Sequence, residues 1–152
     1  MLSGHHLLLR ALLLRKPRLS SSSLPTALTA QGGEHHGHTI ARHVGKSDAE
    51  LNDRLERDGI PAASGFYDLE TAAVAIARTI KHPPNDAQVR RWLGDDETRR
   101  RLALRRLFDQ PIGRIVYRGG DGKDGRTAVA VLVKRTIDGR PGYRLLTAYV
   151  EP

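Results

Sequence analysis

An α+β domain, with short helices first and an antiparallel β-sheet after them, is the fold class this sequence predicts. Three observations carry it. A helix-capping pattern opens a stretch of apolar residues at helical spacing, the spacing switches to period-two alternation beyond Pro111, and glycine-rich turn segments separate the alternating runs. The 152-residue length admits one ordinary domain with a tail and excludes a second sizeable one.

Each element follows from local chemistry. In Ser47-Asp48-Ala49-Glu50 the Ser47 hydroxyl can accept from the Glu50 N–H while the Glu50 carboxylate reaches back to the Ser47 N–H, a capping box that starts a helix. Leu51 and Leu55 share one face of it, and Gly59-Ile60-Pro61 ends it. A second helix is expected from about Asp68 to Lys81, where Leu69, Ala73, Ile76 and Ile80 recur at helical spacing before Pro83-Pro84. A third is expected from Asn85, with Gln88 three residues on, burying Val89, Trp92 and Leu93 before Gly94. Between Arg99 and Phe108, the alternation of Leu102 and Leu104 favours a strand, although Leu104, Leu107 and Phe108 would also line a helix. Strands are then expected over Ile112 to Tyr117, Thr127 to Lys134 and Tyr143 to Val150, joined as hairpins through Gly119-Gly120-Asp121-Gly122 and Asp138 to Gly142.

Composition narrows the function. With 25 Lys+Arg against 17 Asp+Glu the formal charge is +8, which favours anionic partners such as nucleic acid. Absence of cysteine excludes disulfides, thiolate nucleophiles and thiolate metal sites, and leaves the redox compartment open. Half of the excess charge sits in residues 1–33, where Arg10, Arg15, Lys16 and Arg18 stand without an acidic residue; this segment reads as a disordered basic tail, a linker or a weak export signal ahead of a folded unit over 34–152. Its leucine runs are broken by basic residues, far short of the roughly 20 apolar residues of a membrane span, so no stable membrane insertion is expected.

Several side chains could carry chemistry. His35, His36 and His38 would fit one metal ion, but no second ligand pair follows, so a solvated linker is favoured over zinc. His43 lies four residues before the Ser47 cap and could move a proton near neutral pH, although a histidine there is more often a packing or capping residue. Arg54 has Glu50 and Asp58 four residues to either side, a spacing that by itself indicates surface ion pairs. Alternation places Thr147 and Tyr149 on one face of the last strand, opposite Leu146 and Ala148, as any strand would accept.

The run HTIARHVGKSDAEL (His38 to Leu51), the segment Ala63 to Ala72 (ASGFYDLETA), Trp92-Leu93, Pro111-Ile112-Gly113 and the closing Leu146-Thr147-Ala148-Tyr149 together resemble the RNase A-like toxin domain of bacterial contact-dependent growth inhibition proteins and other polymorphic toxins. The resemblance runs from about Glu34 to the C-terminus. It implies an RNase A-like α+β fold without disulfides and a metal-independent endoribonuclease with no cofactor. It also implies cleavage by transphosphorylation to a 2′,3′-cyclic phosphate, in competition between bacteria. It assigns the catalytic residues as His43, Arg54, Thr147 and Tyr149. Lys46, three residues after His43, reads either as an auxiliary substrate-binding charge or as a solvated one. The resemblance further implies an RNA substrate, a transfer RNA being one candidate, a cognate immunity protein, and secretion or delivery into a target-cell cytoplasm; a monomer is expected. Two positions depart from the family pattern: Gly65 stands where Thr or Ser is expected, and Val150 where Pro often follows the tyrosine. The rival reading is a non-catalytic basic nucleic-acid-binding module or a decayed toxin, for which charge alone would suffice; a membrane-surface effector comes third.

Overall fold

A computed structural model describes residues 42–95 and 99–152. The expected 33/34 boundary, the basic tail and the His35-His36-His38 cluster therefore lie outside the described residues. Among the described residues, no helix is long and apolar enough to cross a membrane.

Helix α1 (Asp48–Asp58) begins at the Ser47 capping box, with both reciprocal bonds formed, and ends at Gly59 in the left-handed region at φ 65°. Helix α2 (Leu69–Ile80) is capped by the Asp68 carboxylate, which accepts from the Thr71 N–H at 2.7 Å. Helix α3 starts earlier than the sequence indicated, at Pro83, and runs to Gly94 (Pro83–Gly94). Proline suits the first helical turn, where its missing N–H costs nothing, so Pro83-Pro84 both stops α2 and starts α3. Asn85 is consequently no cap. It is buried, and its Nδ2 donates to the carbonyls of Thr79 and Arg105, tying the end of α2 to the sheet. Leu93, expected in the core, is half-buried at its edge.

The β part departs from a single sheet. Strands β1 (Ala62–Phe66), β3 (Gly113–Tyr117) and β4 (Lys123–Gly125) form one three-stranded antiparallel sheet, and β2 (Arg101–Leu107), β5 (Thr127–Ile137) and β6 (Arg140–Glu151) form another. The strand reading of Arg99 to Phe108 is the one observed, with Leu104 buried against β5. The Gly119 to Gly122 turn joins β3 to the short β4 rather than to β5. The β5–β6 hairpin is longer than expected and closes on Asp138-Gly139, both at positive φ (50° and 74°), the geometry whose twist matches a two-residue hairpin.

The main core lies between α2, α3 and one face of the β2-β5-β6 sheet, where Leu104, Ala128, Ala130, Leu132, Leu145, Ala148 and Val150 meet Ala72, Ile76, Val89 and Trp92. Phe66 and Ile115 extend it to the other sheet, while Leu51, Leu55, Ala63 and Val116 form a smaller cluster under α1. One irregularity matters for function. The register passes from Val131 opposite Thr147 to Leu132 opposite Leu145, leaving Leu146 as an extra residue. Strict alternation would place Leu146 and Ala148 together in the core, but the bulge gives that place to Leu145.

Candidate active site

His43 is set by β1. Just before α1 the chain runs alongside the end of that strand: Val44 forms a bridge with Phe66, and the Gly45 N–H donates to the Phe66 carbonyl at 2.9 Å. The imidazole is buried, with Nδ1 3.2 Å from the Ser64 carbonyl oxygen and 3.3 Å from the Arg54 Nη1. A carbonyl can only accept and a guanidinium can only donate, so one Nδ1 cannot satisfy both. Arg54 has other acceptors, the Arg42 carbonyl at 3.4 Å and the Asp58 carboxylate at 3.3 Å. The consistent assignment is Nδ1–H donating to Ser64, which leaves Nε2 with the free lone pair.

Burial pushes the His43 pKa down from its ordinary 6.5 to about 4, with the nearby Arg54 and Arg42 charges adding to the effect and the Ser64 hydrogen bond opposing it. The imidazole is therefore neutral at pH 7, the state a proton acceptor needs. The Tyr149 ring sits 6.3 Å from the His43 ring, centroid to centroid, tilted by 40°.

Arg54 is partly what its spacing suggested. It pairs with Asp58 on α1, but Glu50 is committed to the capping box and to Lys46, and the guanidinium turns inward to His43. Thr147 and Tyr149 lie opposite Val131 and Val129, on the sheet face turned away from α2 and α3. The structure thus brings His43, Arg54 and Tyr149 together and sets Thr147 one pleat along on the same face. Lys46 lines a small cleft together with Arg42 and Arg54, and its ammonium forms an exposed ion pair with Glu50 at 3.1 Å.

Ser64 is the residue that sequence reasoning passed over. Its carbonyl holds His43, and its buried hydroxyl accepts from the Val150 N–H at 3.2 Å, so one residue ties the imidazole to the strand carrying Tyr149. That accounts for one departure from the family pattern: a proline at 150 would have no N–H to donate. Nothing in the structure explains Gly65, where a Cβ would lie 3.4 Å from the His43 carbonyl oxygen. A cleft of about 590 Å³ between α2 and the end of β2 is lined by Asp68, Arg78, His82 and Phe108 among others and holds none of the four site residues.

The model of the bacterial CdiA-CT RNase A domain matches residues 37–150. The chain belongs to this family. The CdiA-CT RNase A-like domain is thus a ribonuclease toxin domain in kind, and the two antiparallel sheets and three short helices of its described residues, with no cysteine in the sequence, fit the RNase A-like α+β fold. Among solved structures it is similar to the crystal structure of a CdiA-CT/CdiI complex from Y. kristensenii 33638, with 30% sequence identity and a TM-score of 0.68 over 76% of this chain and 100% of that one. No curated protein matches the chain.

Proposed function

We propose that this CdiA-CT RNase A-like domain is a metal-independent endoribonuclease that cleaves RNA through the substrate's own 2′-hydroxyl. The observation that supports it best is a neutral, buried His43 with the Arg54 guanidinium 3.3 Å from its Nδ1 and the Tyr149 ring 6.3 Å from its own, centroid to centroid. His43 Nε2 takes the 2′-hydroxyl proton as O2′ bonds to phosphorus. The P–O5′ bond breaks, the leaving 5′-oxygen receives a proton, and a 2′,3′-cyclic phosphate remains. Arg54 supplies positive charge where the phosphorane gains negative charge, and the Thr147 and Tyr149 hydroxyls donate to phosphate oxygens, Tyr149 being the candidate proton donor to the leaving group. Lys46 adds positive potential at the rim.

A bound phosphate raises the His43 pKa by placing an opposite charge beside the imidazolium, moving the base toward its working pH. The relative was crystallised as a CdiA-CT/CdiI complex, which supports a cognate immunity protein for this chain as well, in a role between competing bacteria and with delivery to the target cytoplasm. The basic surface would steer such a partner if it is acidic. The full chain incubated with RNA in EDTA should yield fragments ending in 2′,3′-cyclic phosphate. Intact RNA, or fragments with 5′-phosphate and 3′-hydroxyl ends, would contradict the reading.

A further inference from the structure

The geometry points to a second phosphate-binding position for the RNA strand, built from Arg101 of β2 and Arg144 of β6, beside the proposed catalytic groups. The inference rests on the ribonuclease reading and specifies how a longer substrate is held.

The sheet register places these residues. Directly opposed residues of an antiparallel ladder share a face. Three successive rows cross the β2-β5-β6 sheet on the face of Thr147 and Tyr149: Arg105, Val129 and Tyr149; Ala103, Val131 and Thr147; Arg101, Val133 and Arg144. At about 3.3 Å per residue, consecutive rows along β5 stand roughly 6.6 Å apart. The arginine row is therefore the immediate neighbour of the Thr147 row.

The bulge at Leu146 is what puts Arg144 there. Under strict alternation from Thr147, Leu145 would face the site and Arg144 would point into the helix-packed core. With Leu146 as the extra residue, Leu145 enters the core and Arg144 joins Val133 on the site face. A bulge that re-aims one side chain beside a site is a usual employment of the motif.

Charge gives the arrangement a direction. Arg105, in the Tyr149 row, is held by Glu151 at 3.1 and 3.4 Å, so that end of the face is neutralised and carries a carboxylate. Arg101 is exposed and Arg144 half-buried, and among the described residues neither forms an ion pair. The Arg144 Nε is buried with no hydrogen-bond partner among the described residues, and a buried donor left unpaired calls for an acceptor. A phosphate spanning Arg101 and Arg144 supplies one once the half-buried Arg144 side chain swings toward it. The RNA strand then leaves the catalytic row toward the Arg101 and Arg144 row, away from Glu151.

The test compares kcat/KM of the full chain on an RNA dinucleotide, which has only the scissile phosphate, with that on a decanucleotide. Wild type should prefer the decanucleotide. In the double variant Arg101→Gln, Arg144→Gln that preference should fall at least tenfold, and the slope of log kcat/KM against log salt on the decanucleotide should shrink by about 0.7 for one lost phosphate contact. Arg101→Gln alone, at an exposed position, should show the same trend if the double variant does not fold, and the paired lysine variant should recover part of the preference. Equal losses on both substrates would overturn the second position while leaving the ribonuclease reading standing. A wild-type chain that cuts neither substrate would overturn both.

Discussion

Acidification should weaken this domain through His43. The imidazole is 9% exposed and its pKa drops from 6.5 to about 4 on folding. Between those values the unfolded chain binds a proton that the folded chain refuses, so stability is full above about pH 6.5 and is lost as the pH falls toward 4. Linkage over that window gives a loss of about 2 kcal/mol by pH 5 and about 3 kcal/mol once both states are protonated. Urea unfolding from pH 8 to pH 4.5 should be run on wild type and on His43→Gln, whose amide does not titrate. Carboxylates titrate in both proteins and cancel in the difference, which leaves the histidine. Wild type should lose about 2 kcal/mol more than the variant between pH 8 and pH 5. Parallel curves would refute the buried, neutral imidazole, and with it the reason for treating His43 as a ready proton acceptor.

Other substitutions probe the surrounding contacts. Arg54→Lys keeps a positive charge but loses the planar guanidinium that reaches both Asp58 and His43; RNA cleavage should fall at least tenfold, whereas wild-type rates would return Arg54 to a surface ion-pair role. Ser64→Ala leaves the Val150 N–H without its acceptor and should cost about 1–3 kcal/mol in chemical denaturation. A lower kcat at similar KM, with an altered pH–rate profile, would mark Ser64 as a positioning residue; loss of stability alone would mark it as structural. Gly113→Ala should prevent folding, because the new Cβ would lie 2.1 Å from the Gly65 carbonyl oxygen and 2.9 Å from Val150 Cγ2; a soluble variant with native circular dichroism would contradict that packing.

Local chemistry made much of the fold readable. The Ser47 capping box and the apolar spacing of α2 need only neighbours within a few residues, and that range is what a pattern reports. Features set by distant partners were not readable. Strand β1 is Ala-Ala-Ser-Gly-Phe, four small residues with weak strand preference before Phe66, and it is a strand because β3 pairs along its length. The division into two sheets follows from that pairing, as does the fate of the Gly119 to Gly122 turn. Asn85 resembled a cap by sequence, but the prolines before it had already started the helix. The bulge at Leu146 reversed the expected faces of Leu145 and Leu146, since core packing on β5 outweighed strict alternation.

The site was legible only in outline. Spacing alone made His43 a packing residue and Arg54 one end of an ion pair, and the family resemblance singled them out. The structure supplies the physical link: Ser64 bonds to His43 across 21 positions and to Val150 across 86, a separation at which no local pattern carries a signal.

The central claim, that His43 carries metal-free RNA cleavage, is tested most directly by single-turnover cleavage of one labelled RNA in EDTA by wild type and His43→Ala, both shown to be folded. The account predicts cleavage by wild type and a loss of at least a hundredfold in the variant, the low end of what a positioned acid–base group contributes. Comparable rates from the two proteins would remove His43 from the chemistry and contradict the account.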